Sequence, residues 1–212
     1  MSSGKDDLKL KVWQAFELGK GIDLEDAHYG PSSWGTKQYV DRPSPYYHFL
    51  AGWCRATNAA RVIEVGTHYG GSTLAIHKGI VASADPKLVT IDVTNLNAER
   101  LARETAITKI VGSGADRDVQ DCAVAALGSE RCDLLYIDAL KDMQFVLSCL
   151  DGFISRAEIG YAILDDINIV PEMRRMWNDV MVRYGEHAID VSSLIPEVRA
   201  PNVGFGLIRL MG

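Results

Sequence analysis

No uninterrupted apolar run in this chain of 212 residues approaches the roughly 18 residues that a membrane-crossing helix needs, so a helical membrane span is not expected. There is no C-x-x-C pair. The four cysteines, Cys54, Cys122, Cys132 and Cys149, are scattered singly, which fits reduced packing residues better than a disulfide frame or a zinc site and points to a cytoplasmic location. The opening residues Met1–Asp7 contain no apolar stretch, so no secretory leader is expected. Positive charge is in short supply. Lys and Arg number 22 against 28 Asp and Glu, the net charge is −6, and no basic cluster occurs. Such a surface argues against a nucleic-acid partner, which requires phosphate neutralisation. What remains is ordinary: 47% hydrophobic residues in a length that suits one domain with a small appendage.

The chain divides unevenly. Residues 1–58 lack strand character and form a helical and loop-rich cap. Leu8, Val12, Trp13 and Phe16 suggest a short helix, and residues 19–43 read as loop. Ser44-Pro45 is an N-cap followed by proline at the first helical position. Tyr46, Phe49, Leu50, Trp53 and Cys54 then recur at the spacing of one buried helical face. From residue 59 to 212, short apolar runs alternate with helical patterns. Strands are expected at Arg61–Val65, Leu88–Asp92, Lys109–Val111, Asp133–Asp138, Tyr161–Asp165, His187–Val191 and Phe205–Leu210. Helices are expected at Ser72–Val81, Ala98–Thr108, Val119–Leu127, Met143–Leu150 and Glu172–Tyr184. The alternation implies an α/β, Rossmann-like sheet of seven strands, mostly parallel, with helices on both faces and an antiparallel last strand. In such sheets ligands sit beyond the carboxyl ends of the strands.

The first strand ends in Glu64-Val65-Gly66-Thr67-His68-Tyr69-Gly70-Gly71-Ser72. Glycine permits a tight turn and close approach of backbone to a ligand, and the following helix start offers free N–H groups and partial positive charge. Gly66, Thr67, His68 and Ser72 are therefore candidates to contact a small, partly anionic cofactor. A dinucleotide fingerprint is not met, because His68 stands where a second glycine belongs, and a P-loop would need lysine after Gly71. Asp92 ends the second strand, where an acid can accept hydrogen bonds from ribose hydroxyls. After the third strand, Gly112-Ser113-Gly114 would let an adenine ring lie against backbone, with Ala115 and Asp116 at its edge.

Asp138 ends the fourth strand, with Lys141 and Asp142 just beyond, and Asp165-Asp166 and Asn168 follow the fifth. Carboxylates brought together at neighbouring strand ends repel. A divalent cation such as Mg²⁺, which takes oxygen ligands, would relieve that, giving Asp138, Asp165 and Asp166 as candidate metal ligands. The plainer alternative is that these acids cap turns and helices, with Asp142 as an N-cap.

The Glu-x-Gly-x-x-x-Gly-x-Ser arrangement resembles the first motif of class I S-adenosylmethionine-dependent methyltransferases. Tyr136-Ile137-Asp138-Ala139-Leu140-Lys141-Asp142 resembles the corresponding segment of the metal-dependent catechol and caffeoyl-CoA O-methyltransferases. The Asp165-Asp166 doublet, where that group has Asp-Asn, is more similar to the Mg²⁺-dependent sugar O-methyltransferases of macrolide biosynthesis. The resemblance covers about residues 61–210 and implies S-adenosylmethionine as cofactor and a small-molecule hydroxyl as acceptor. It further implies that Glu64 and Ser72 hold the methionine end and Asp92 the ribose, with Asp138 a catalytic Mg²⁺ ligand beside the cofactor and Lys141 the general base. Trp34, Tyr39, Tyr46 and Tyr47 are candidates for an aromatic acceptor pocket, and the loop Ser193–Asn202 for a lid. The aromatic N-terminal segment could pair two subunits as a homodimer. A metal-independent methyltransferase using Asp165, Asp166 or His68 is the main alternative. A nicotinamide-dependent reductase is disfavoured, since no Tyr-x-x-x-Lys occurs.

Overall fold

The computed structural model describes residues 4–29, 42–96, 98–195 and 203–211. Two helices lead, α1 (Gly4–Lys20) and α2 (Pro45–Thr57). There follow β1 (Arg61–Val65), α3 (Gly71–Ile80), β2 (Lys87–Asp92), α4 (Ala98–Leu101), β3 (Ile107–Val111), α5 (Arg117–Leu127), β4 (Arg131–Ile137) and α6 (Met143–Ile154). The chain continues through β5 (Glu158–Asp165), α7 (Pro171–Tyr184), a 3-10 turn at Gly185–His187, β6 (Ala188–Asp190) and β7 (Phe205–Arg209). The seven strands lie in the order β3-β2-β1-β4-β5-β7-β6. The first five in chain order pair in parallel, and β7 runs antiparallel to both β5 and β6. This is the Rossmann-like arrangement expected from the strand–helix alternation.

Alternation along the strands assigns the two faces. Val62, Leu134, Tyr136, Ile163 and Leu207 join α1, α2 and α3 in one core, while Ile63, Val65, Leu135, Ile137 and Leu164 join α5, α6 and α7 in the other. Successive residues of a strand point to opposite faces, so the even-numbered positions of β1 and β4 share the side covered by the N-terminal helices. Those helices are part of the first core: Leu8, Val12 and Phe16 of α1 are buried with Phe49, Leu50 and Trp53 of α2. Helix α2 begins as its sequence predicts, with the Ser44 hydroxyl accepting from the Tyr47 amide at 3.3 Å. The stripe of Met173, Met176, Trp177 and Val180 is the buried face of α7.

Four expectations need correction. The helix predicted over Ala98–Thr108 stops at Leu101, and β3 begins at Ile107. Ile107 and Thr108 are β-branched and pair with Leu88 and Val89 of β2, so the sheet edge overrides the helical pattern. The short helix at the N-terminus runs the full Gly4–Lys20, and Trp13 is 47% exposed on its outer side. The last-but-one strand covers only Ala188–Asp190. All four cysteines are free thiols, but only Cys54, Cys132 and Cys149 are packing residues, Cys122 being exposed. Among the described residues no helix is long and apolar enough to cross a membrane.

Candidate functional site

Residues at the carboxyl ends of β1, β2, β4 and β5 form two connected constellations. The first is built under the turn after β1. Glu64, Thr90 of β2 and Tyr136 of β4 are register neighbours across the three strands. The Glu64 side chain is fully buried. It accepts from the Ser72 hydroxyl on Oε1 at 2.6 Å, and from Thr73 and Thr90 on Oε2 at 2.5 and 2.6 Å. Thr67 continues the chain, its hydroxyl 2.7 Å from that of Thr90. Burial lifts the Glu64 carboxyl to about 7, and the three hydroxyl donors limit the rise. As placed, Glu64 and the Thr67 and Ser72 side chains brace the loop from beneath. That loop is where the resemblance has Glu64 and Ser72 hold the methionine end.

Gly66 is where this loop leaves the strand. Its φ is +107° and a Cβ would lie 1.7 Å from the Asp138 carbonyl oxygen; no other residue fits the turn. Its amide donates to Ile91 O at 2.8 Å, while the Asp138 amide donates to Val65 O at 2.8 Å. The turn is thereby pinned between β2 and β4. His68 takes a left-handed φ of 44° and donates its backbone N–H to Asp92 Oδ2 at 2.8 Å. Asp92 Oδ1 accepts from the Thr94 amide and hydroxyl. A carboxylate has about four lone-pair sites, so Asp92 keeps capacity for one further donor at the rim. The imidazole of His68 packs edge-on against Tyr69.

The glycines after β3 serve packing. A Cβ at Gly114 would meet Val65 Cγ1 at 2.5 Å, and one at Gly112 would meet Val119 at 2.6 Å. Gln120, almost fully buried, donates to Gly114 O at 2.8 Å and holds the loop beside Ala115. Asp116 is the N-cap residue of α5, without a side-chain capping bond.

The second constellation is acidic. Tyr136, Asp138 and Asp165 all project toward the face of the N-terminal helices. The Tyr136 hydroxyl lies 3.0 Å from Asp165 Oδ2 and 3.2 Å from Asp138 Oδ2, so it can donate to either. Asp166 has a left-handed φ of 58°, which Asp tolerates better than most residues. Its amide donates to Asp165 Oδ1 at 2.6 Å. Its side chain turns back to Lys141, whose Nζ lies 2.5 Å from Asp138 Oδ1 and 2.9 Å from Asp166 Oδ2.

Burial and the neighbouring carboxylates Asp138 and Asp166 push the Asp165 carboxyl well above the usual range, and burial also lifts that of Asp166. Burial would lift Asp138 too, but Lys141, with hydrogen bonds from Asp165 and Tyr136, holds it below. For Lys141, burial opposes the charge, yet Asp138, Asp165 and Asp166 outweigh it and hold the ammonium well above the ordinary lysine range. A base role for Lys141 would require it to surrender a proton that three acids hold in place.

The fit to Mg²⁺ can be judged from these donors. Five of the six oxygens of Asp138, Asp165 and Asp166 are engaged by Lys141, Tyr136 or the Asp166 amide. Asn168, the further candidate ligand, directs its amide to Asp190 Oδ2 of β6 at 3.3 Å. Among the described residues no three His, Cys, Asp or Glu side chains are placed to hold a metal ion. The residues present do not fit a resident Mg²⁺. Asp142, by contrast, is the N-cap of α6, accepting from the Phe145 amide at 2.8 Å.

Three tyrosines surround the acids. Tyr29 stacks on Tyr47 at 5.2 Å between ring centres. Burial, chiefly, and the nearby acids raise the hydroxyls of Tyr29, Tyr47 and Tyr136 far above the ordinary tyrosine range, so they remain protonated. Tyr46 is a core residue, stacked on Phe205 at 4.2 Å. Trp34, Tyr39 and Pro196–Asn202 lie outside the described residues.

Sequence reasoning missed Tyr136, Thr73, Thr90, Gln120, Tyr29 and Arg100. Strand parity could have found Tyr136, which lies two residues before Asp138. Arg100 donates to Tyr69 O at 2.7 Å and to Asp26 O, tying the loop after β1 to the N-terminal segment. Nothing local in the sequence signals that link.

Comparison with known proteins follows the same lines. Residues 63–167 match a family model described as methyltransferase domain. The fold is similar to that of cofactor-bound Rv0187 from MTB, at 22% identity and a TM-score of 0.60, covering 92% of this chain and 89% of that one. It is also similar to the O-methyltransferase TomG from Streptomyces achromogenes, involved in tomaymycin synthesis and solved in complex with SAM. There the identity is 17% and the TM-score 0.62, over 94% of this chain and 90% of that one. A third likeness is to an O-methyltransferase from Bacillus cereus in complex with SAH, at 14% identity and a TM-score of 0.61, over 95% and 91%. No curated protein matches by sequence.

Proposed function

We propose that this chain, whose residues 63–167 match a family model described as methyltransferase domain, transfers the methyl group of S-adenosylmethionine to a hydroxyl of a small molecule. The observation that carries the reading is the shared sheet edge. The braced turn Gly66–Ser72 and the acidic cluster Asp138–Asp165–Asp166 meet where the Gly66 turn packs on the Asp138 carbonyl. The neighbouring folds solved with SAM or SAH support the cofactor, and those described as O-methyltransferases support the oxygen acceptor. S-adenosylmethionine supplies an activated methyl on a sulfonium.

On this reading the turn Gly66–His68 and the start of α3 receive the methionine end, and Asp92 receives the ribose with its remaining acceptor capacity. Ala115 and Asp116 border the adenine. The acceptor lies against Tyr29 and Tyr47, with its hydroxyl at the carboxylates. Transfer forms the oxygen–carbon bond and breaks the sulfur–carbon bond, leaving S-adenosylhomocysteine. The hydroxyl proton passes to the Asp138–Asp165 pair. It becomes strongly acidic only as the methyl arrives, so a weak base suffices. Alignment supplies most of the acceleration. We place no step on Mg²⁺, for which the donors are already engaged, and Lys141 serves as cation in place of base.

Calorimetric titration tests this. The protein should bind S-adenosylmethionine, and Asp92→Ala should weaken binding at least about tenfold, as loss of a charge-assisted hydrogen bond does. Absence of cofactor binding by the wild type would remove the proposal.

A further inference from the structure

We infer that the Lys141 ammonium is the built-in cation of this site, occupying the position at the carboxylates that a divalent metal would otherwise take. The inference rests on the proposed methyl transfer for its chemistry but not for its geometry. Lys141 Nζ bridges Asp138 Oδ1 at 2.5 Å and Asp166 Oδ2 at 2.9 Å, one acid from the end of β4 and one from the turn after β5. The left-handed backbone at Asp166 aims that carboxylate at Lys141. Three of the four remaining oxygens of the cluster face Tyr136 or the Asp166 amide. A divalent ion entering here would have to expel the ammonium or sit against it, and like charges at contact distance repel strongly. The lysine thus does two things. It offsets the crowded acids, and it presents a fixed positive charge beside the place where the acceptor oxygen binds.

Mn²⁺, followed by electron paramagnetic resonance, probes the site without needing the acceptor. The reading is the binding that depends on Asp138, obtained by comparing wild type with Asp138→Asn, each with S-adenosylmethionine present. Wild type should show no Asp138-dependent Mn²⁺. Lys141→Met should gain affinity of about tenfold or more over wild type, since the competitor has gone, and Lys141→Arg should not. A merely structural lysine would not produce that gain. Asp138-dependent Mn²⁺ in the wild type, or no gain in Lys141→Met, overturns the inference. Thermal melting and cofactor heat of each variant report folding. Cofactor heat absent in the wild type sinks the proposed function while leaving the Mn²⁺ comparison readable.

Discussion

The hydroxyl of Tyr136 reaches Asp165 across the boundary between adjacent parallel strands, 3.0 Å from Oδ2, and the same oxygen stands 3.2 Å from Asp138. One phenol therefore lies between the two acids and can donate to either. Tyr136→Phe should destabilise the protein by about 1.5–3 kcal/mol, the range for a hydrogen bond to a charged group. That lowers the melting temperature by about 2–4 °C per kcal/mol for a chain of this size. S-adenosylmethionine affinity should be unchanged, because the hydroxyl meets Asp138 and Asp165, where the acceptor is proposed to bind. A variant that melts with the wild type would show that the bridge contributes nothing.

Glu64 should make stability depend on pH. Its carboxyl lies at about 7 in the folded protein, against about 4.3 for an ordinary glutamate. Between these values the folded state keeps a proton that the unfolded state has lost, so stability falls as pH rises through the window and is level above it. The loss is about 4 kcal/mol. Urea unfolding at a series of pH values should show this slope in the wild type, and Glu64→Gln should flatten it. Parallel profiles would mean that Glu64 does not titrate there.

Gly66→Ala should be among the most damaging single changes. It combines φ +107° with a Cβ placed 1.7 Å from backbone, a clash that no rotamer can relieve. A loss of about 3 kcal/mol or more is expected, seen as low soluble yield or a large drop in melting temperature. A well-folded Gly66→Ala protein that binds cofactor normally would refute the account of the turn.

Arg100→Ala should loosen the link between the loop after β1 and the N-terminal segment, because the guanidinium joins Tyr69 O to Asp26 O. Hydrogen exchange should quicken around residues 22–29, and cofactor affinity should fall about tenfold, the scale of one charge-assisted hydrogen bond. Unaltered exchange in that segment would count against the link.

Strand–helix alternation and the apolar spacing of α2 and α7 were readable along the chain, because periods of 2 and 3.6 residues are local properties. So were the Ser44 cap, the Gly66 turn and the placement of Asp92, Asp138 and Asp165 at strand ends. The β3 boundary was not readable, since pairing of Ile107 with Leu88 outweighs local helical pattern. The roles within the site were also hidden. That Glu64 is saturated from beneath by Ser72, Thr73 and Thr90, that Asn168 turns to β6, and that Lys141 fills the gap between Asp138 and Asp166 depend on register between strands far apart in sequence. The amino-acid sequence by itself determined which acids reach the sheet edge. Only the tertiary structure decided which partner each acid meets there, because a carboxylate's behaviour is set by burial and by the charges within a few ångströms.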